Sequence, residues 1–286
     1  LQQCSDEGLA ASAPRLQAGE VANWEPSREL SLGPGAWRPR PYPGFAFQAM
    51  GDADVRNQAS VQHLFELQQA LVALADGPGR FYPLPRESLH QTLISTFSGA
   101  RREHHLVATG QLSGFPALLA QALGTVAPPA HRDTVRMSLV GLSMFRTAIG
   151  ALGIFEDPDH YARVLALRAR AYDDPRLRRI GLARTRPFIG HVTLLYQQAT
   201  PGTAEQSRLL AALTAINREL RSRPLAWISF FDVSGTEIDI KGLPPLAVTY
   251  SARASSIGEV GTLKGNLVII TWLKYLPGKS SPSEKL

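Results

Sequence analysis

The order of apolar and polar residues along the chain predicts short strands that alternate with amphipathic helices. Strands are predicted where β-branched and aromatic residues cluster between turn residues, because these side chains suit a pleated, half-buried surface. The strands predicted in this way cover residues 44–50, 81–95, 134–155, 188–196 and 225–233, of which 134–155 is a strand pair.

Helices are predicted where apolar residues recur every three or four positions. In the first of them, Leu64, Leu67 and Leu71 fall on one helical face. The third begins at Asp157-Pro158 and the fourth at the capping box Thr203–Gln206, two common helix starts. The helices predicted in this way cover residues 54–75, 101–124, 158–170 and 203–221.

This order of elements predicts an α+β fold built from two similar halves. The chain has 286 residues, of which 44% are hydrophobic, so it is long and apolar enough for a sizeable core. Residues 1–43 carry six prolines and little periodicity, which predicts an irregular lead. We therefore expect a main domain over residues 44–240 and a lysine-containing extension over residues 241–286.

The charge of the chain indicates an anionic partner. The net charge is +6, which suits a nucleic acid, a nucleotide or an acidic lipid. Most of the excess positive charge lies in residues 241–286. This segment is either a solvated tail or a tail that binds RNA or a membrane. A second excess lies between Arg163 and Arg186, where eight arginines stand against two aspartates. These arginines either contact phosphate groups or form a solvated helix face.

Composition also excludes several classes of protein. Cys4 is the one cysteine, so the chain has neither an internal disulfide scaffold nor a thiolate zinc cluster. The apolar run Leu267–Leu273 is too short to cross a bilayer, which needs about 20 residues. No membrane span is therefore expected.

One short motif occurs twice. His90-Gln-Thr92-Leu and His191-Val-Thr193-Leu both lie in predicted strands, one in each half of the chain. Residues two apart on a strand point to the same face, so each histidine shares a face with its threonine. Two strand histidines that merely face a polar surface are the alternative interpretation.

Two facing imidazoles suit phosphodiester chemistry. A neutral imidazole can take a proton from water and an imidazolium can give one to a leaving oxygen, both near neutral pH. Each threonine hydroxyl can donate a hydrogen bond to a phosphate oxygen. Nearby arginine would add positive charge that holds the anion.

The paired motifs resemble those of the two-histidine (2H) phosphoesterases, which include the LigT-like RNA 2′,3′-cyclic phosphodiesterases and the plant cyclic phosphodiesterases. The resemblance implies a bilobal fold over about residues 44–235. Its two pseudo-symmetric lobes of antiparallel sheet have helices outside and a cleft between them, lined by one motif from each lobe. It also implies that His90 and His191 are catalytic and that Thr92 and Thr193 bind phosphate.

The expected function is therefore a metal-independent phosphodiesterase. Its substrate would be a cyclic (2′,3′-type) or 2′,5′-linked phosphodiester of a nucleotide or RNA end, with no metal or other cofactor. A module of the same fold that binds phosphate without hydrolysing it is the alternative. A cytoplasmic monomer is expected.

Three further residues are candidates for substrate contacts. Arg184 and Arg186 precede the second motif closely, and Tyr82 precedes the first and could stack on a base. Tyr196 follows Thr193 by three residues, so on a regular strand it points away from His191.

Overall fold

The computed structural model describes residues 25–33, 36–39, 43–52, 54–75, 80–124, 134–185, 187–200, 202–230 and 267–271. The strands in these ranges are β1 (Leu30–Gly33), β2 (Ala36–Pro39), β3 (Gly44–Met50), β4 (Phe81–Pro83), β5 (His90–Ser98), β6 (Thr134–Phe145), β7 (Ala148–Ile154), β8 (Gly190–Gln197), β9 (Leu225–Phe230) and β10 (Leu267–Thr271). The main helices are α1 (Gln58–Ala73), α2 (Phe115–Gly124), α3 (Pro158–Tyr172), α4 (Pro175–Arg179) and α5 (Thr203–Ser222).

An antiparallel sheet of eight strands runs through the described structure. Its order is β10-β3-β5-β8-β7-β6-β9, and β4 also pairs with β8. The motif strands β5 and β8 are neighbours in the middle, where Gln91 lies opposite Val192. In each half a helix precedes the motif strand, α1 before β5 and α3 before β8. The predicted α+β fold with an antiparallel sheet is confirmed, and the strands of the two halves join in one open sheet.

The core forms between this sheet and the helices. Leu64 and Leu71 of α1 are fully buried, as the helical spacing predicts, and Leu67 packs against the same core. Trp227 of β9 and Phe47 of β3 are also fully buried. Burial of such large side chains is the main favourable contribution to folding, about 25 cal/mol per Å² of apolar surface.

The segments on either side of the predicted main domain also contribute strands. Within residues 1–43, where an irregular lead is expected, β1 and β2 form a separate antiparallel pair. The Ser27 amide donates to the Gln197 carbonyl oxygen at 2.7 Å, which attaches this segment to the end of β8. Within residues 241–286, β10 pairs with β3 and so becomes an edge strand of the sheet.

The prediction of a continuous helix over residues 101–124 is wrong. The chain forms a short helix at Ala100–Arg102, continues as a π-helical turn at Glu103–Val107, and becomes irregular before α2 begins. Gly110 adopts a φ of +68°, a left-handed conformation that ends a helix. Pro116 then stands in the first turn of α2, where a proline needs no hydrogen-bond partner for its nitrogen.

The capping box predicted at Thr203–Gln206 does not form either. Gly202 is the N-cap of α5 and makes no side-chain capping bond, so Thr203 is already the first helical residue. The last strand predicted, 225–233, is described only as far as Phe230. None of the helices in the described ranges combines the length and the apolar composition that crossing a bilayer requires.

We expect Asn217→Ala to lower the free energy of unfolding by about 3 kcal/mol, because it leaves two buried backbone groups without their partner. The Asn217 side chain on α5 accepts a hydrogen bond from the Leu142 amide and donates one to the Leu142 carbonyl oxygen at 3.0 Å. Urea unfolding would measure the loss. Thr214→Ala on the exposed face of α5 is the control, and an equal loss there would contradict the prediction.

Candidate active site

The four motif side chains lie on one face of the central sheet. His90 and Thr92 on β5 are partly exposed, while the residues between and after them are buried. His191 and Thr193 on β8 show the same alternation. The predicted sharing of a face by each histidine and its threonine therefore holds in the structure.

The strand register brings the two motifs together. An antiparallel pair in which Gln91 lies opposite Val192 places His90 across from Thr193 and Thr92 across from His191. Neighbouring strands are about 5 Å apart. The four side chains thus form a square in which each histidine has a threonine beside it and another across from it.

Both imidazole rings are oriented in the same way. The Nδ1 atom of His90 lies 2.7 Å from the Ser88 carbonyl oxygen, and that of His191 lies 2.9 Å from the Ile189 carbonyl oxygen. A carbonyl oxygen only accepts, so Nδ1 carries the hydrogen in each ring. Proton exchange with a substrate is then left to Nε2 in both histidines.

The surroundings of His90 favour its neutral form. The pKa of His90 is lowered to about 4, chiefly by burial and to a smaller extent by the charge of a protonated His191. The hydrogen bond to the Ser88 carbonyl oxygen and the carboxylate of Glu29 act in the opposite direction. A positive charge on His191 thus disfavours a second positive charge on His90.

This lowered pKa makes the stability depend on pH. An unfolded histidine titrates near 6.5, so between pH 6.5 and 4 the unfolded chain binds more protons at residue 90 than the folded chain. The free energy of unfolding should therefore decrease as the pH is lowered from 6.5 to 4, by up to about 3 kcal/mol. Urea unfolding at pH 7, 5.5 and 4 should show a smaller fall in His90→Gln than in the unaltered protein. Equal falls would contradict the prediction.

Each motif strand carries a β-bulge at the leucine of its motif. On β5, Thr92 pairs with Gln48 of β3 and Ile94 pairs with the adjacent Phe47, so Leu93 between them has no partner in the β3 ladder. On β8 the β7 ladder skips Leu194 in the same way. Two successive buried residues follow the threonine in both strands. The two motifs are thus alike in backbone as well as in sequence.

The bulges change which later residues face the site. Beyond the bulge in β8, Tyr196 is on the same face as His191, so the sequence expectation that it points away is wrong. Ser95 takes the corresponding place on β5. Tyr82 of β4 pairs directly with Tyr196, which makes these two rings cross-strand neighbours. Sequence reasoning missed Ser95 and the orientation of Tyr196. The signal was the apolar doublet after each threonine, which breaks the alternation.

The described arginines of the stretch 163–185 have different surroundings. Arg168 is buried, and Arg176 forms an ion pair with Asp174. Arg184 is exposed, and its guanidinium carbon lies 6.0 Å from the centroid of the Tyr172 ring on α3. Arg186 lies outside the described residues.

No candidate metal centre occurs within the described ranges, which contain no group of three or more histidine, cysteine, aspartate or glutamate side chains suited to hold an ion. His104 and His105 are neighbours whose ring centroids lie 4.7 Å apart. The ring of His105 lies against Gly181.

Comparison with solved structures shows which known folds the chain resembles. The chain is similar to a conserved protein of unknown function, ATU0111, from Agrobacterium tumefaciens C58 (TM-score 0.51, 18% identity, 76% of this chain and 93% of that chain). It also matches LigT of E. coli in complex with 3'-AMP (TM-score 0.36, 16% identity, 66% and 84%). No family model and no curated protein matches the chain.

At these identities the likenesses concern the fold alone. The Agrobacterium structure shares it over most of both chains. A LigT structure is also among the matches.

Proposed function

We propose that the protein is a metal-independent phosphodiesterase that hydrolyses a cyclic (2′,3′-type) or 2′,5′-linked phosphodiester of a nucleotide or RNA end. The observation that carries the proposal is the paired arrangement of His90 and His191, each with Nδ1 held by a carbonyl oxygen and a threonine beside it. Thr92 and Thr193 donate hydrogen bonds to the non-bridging oxygens of the phosphate.

The two histidines divide the proton transfers between them. His90 is neutral near pH 7 because its pKa is lowered, so it acts as the general base and removes a proton from water. His191 acts as the general acid and gives a proton from its Nε2 atom to the leaving 2′ or 3′ oxygen. The water oxygen forms a bond to phosphorus as the bond to the leaving oxygen breaks, and proton transfer between the histidines restores the starting state.

The rest of the substrate lies along the same face of the sheet. The neighbouring rings of Tyr82 and Tyr196 offer a surface on which a base can stack, worth about 1–3 kcal/mol per base. Arg184 and Arg186 are the proposed contacts for phosphates of a longer RNA end. The partner is thus a nucleotide or RNA terminus bound by a monomer.

The proposal is tested by incubating the protein with 2′,3′-cyclic AMP and, separately, with a 2′,5′-linked diadenylate, each with and without EDTA. Separation of the products should show ring opening or cleavage, and the rate should not change with EDTA. A rate that EDTA abolishes would contradict metal independence. Failure to turn over either substrate would contradict the enzymatic function.

A phosphate-binding module without turnover is the second candidate function. The observation that favours it is the low pKa of His90, since a base of pKa about 4 removes a proton from water less effectively than one near 7. Saturable binding of 2′-AMP in a titration, without turnover of either substrate, would favour the module over the enzyme.

A further inference from the structure

We infer that Gln68 and Arg168 are positioning residues that fix the two motifs through the carbonyl groups of the motif bulges. The inference rests on the proposed function. Neither residue belongs to a motif, and both lie on helices rather than on a motif strand. Each is a buried polar side chain on a helix, and each donates to the leucine carbonyl directly after a motif threonine.

Arg168 serves the first motif. It lies on α3, is 6% exposed, and donates from Nη1 to the carbonyl oxygen of Leu93. Its guanidinium carbon lies 5.2 Å from the ring centroid of Tyr172 and 5.0 Å from that of Phe188. Burying an arginine costs free energy, so a core position calls for a compensating contact. The bulge carbonyl and the two aromatic rings supply it.

A second donor on the same helix strengthens this anchor. The Tyr172 hydroxyl, one turn after Arg168, donates to the Ser95 carbonyl oxygen at 2.8 Å. Two carbonyl groups of β5, two residues apart, are therefore held by two side chains of α3. The stretch of β5 that contains the bulge is fixed in both position and twist.

Gln68 serves the second motif. It lies on α1 and is fully buried, and its Nε2 donates to the Leu194 carbonyl oxygen at 2.7 Å and to the Leu84 carbonyl oxygen at 2.9 Å. The Leu84 amide also donates to the Leu194 carbonyl oxygen at 3.0 Å. The bulge of β8 is thus tied both to α1 and to the chain just before the first motif.

The two anchors cross between the halves of the fold. Helix α1 precedes β5 in the chain but holds the bulge of β8, and α3 precedes β8 but holds the bulge of β5. Each half therefore sets the position of the other half's motif. A misplacement of reacting groups by about 1 Å can reduce a rate by about 10²-fold. The two side chains thus act on the distance between His90 and His191.

The test replaces each anchor by an apolar residue of similar length and measures 2′,3′-cyclic AMP hydrolysis and 2′-AMP binding together. Arg168→Met and Gln68→Met should lower kcat about 10–100-fold, and KM should rise by about as much as the affinity for 2′-AMP falls. Arg168→Lys should recover part of the loss, because it restores a donor. Both Met variants should also bind 2′-AMP about tenfold more weakly, which checks the positioning without turnover.

Matched controls separate positioning from stability. Arg170→Met on α3 and Gln62→Met on α1 remove long polar side chains from the same helices, and their kcat should stay within about twofold of the unaltered protein. Wild-type kcat and 2′-AMP affinity in both anchor variants would overturn the inference. If the unaltered protein binds 2′-AMP but does not hydrolyse 2′,3′-cyclic AMP, the proposed enzymatic function fails. The 2′-AMP affinities of the variants then decide alone whether Gln68 and Arg168 position the motifs. If it does neither, both proposals fail.

Discussion

Replacing His90 or His191 by alanine is expected to lower kcat for 2′,3′-cyclic AMP by about 10³-fold or more. General acid–base catalysis by a positioned side chain contributes about 10²–10⁴-fold. The two rings are held alike, with Nδ1 on a carbonyl oxygen, so each presents Nε2 for proton transfer. Because the two groups act in one reaction cycle, the double variant should be hardly less active than either single variant.

The histidine prediction needs a folded variant and a matched histidine outside the site. His63 on α1 lies near Glu66, so His63→Ala serves as that control and should keep full activity. Near-ultraviolet circular dichroism would check that the variants are folded. Wild-type kcat in a folded His90→Ala or His191→Ala variant would remove the proposed mechanism.

The pH profile distinguishes the two histidines. With His90 as the base, the rising limb of kcat/KM should lie near the lowered pKa of about 4 and not near 6.5, which is the usual histidine value. His90→Ala should remove this limb from the residual activity. An unchanged limb in His90→Ala would assign the base to another group.

Much of the fold could be predicted from the sequence because local patterns agree with the tertiary contacts. The predicted strand 44–50 is found with the same bounds, and the helix from Pro158 begins behind the Asp157 cap as expected. The prediction of a continuous helix over residues 101–124 was wrong because it followed the apolar content of the segment. It gave too little weight to Gly110, whose left-handed backbone ends the helix. Pairing between β3 and β10 joins residues far apart in the chain, which no local pattern can indicate.

The candidate site shows a similar division. The i, i+2 spacing was enough to place His90 beside Thr92 on one face, since strand geometry is local. The bulges were not foreseen, because alternation was assumed to continue past the motif, and so Tyr196 was assigned to the wrong face. The donor from Arg168 to Leu93 spans 75 positions, so it depends on packing of α3 against β5. The sequence therefore indicated that the candidate histidines and threonines share a face, but not which side chains hold them there.

Replacing Thr92 or Thr193 by valine is expected to lower kcat/KM by about 10²-fold. Each change removes one hydroxyl donor from the phosphate oxygens, where charge increases in the transition state, and a donor of this kind is worth about 10²–10³-fold. Serine at either position keeps the hydroxyl and should stay within about tenfold of the unaltered protein.

A third threonine of the same strand separates the chemical effect from the structural one. Thr96 on β5 is buried, and its hydroxyl donates to the Phe45 carbonyl oxygen at 2.5 Å instead of facing the histidines. Thr96→Val should therefore lower the unfolding midpoint and leave kcat/KM almost unchanged. Thr92→Val should instead lower kcat/KM and leave the unfolding midpoint almost unchanged. Steady-state kinetics and urea unfolding of the two variants would show whether the phosphate is held on the face that His90 and Thr92 share. Equal kinetic losses would mean that the hydroxyls act only through strand packing.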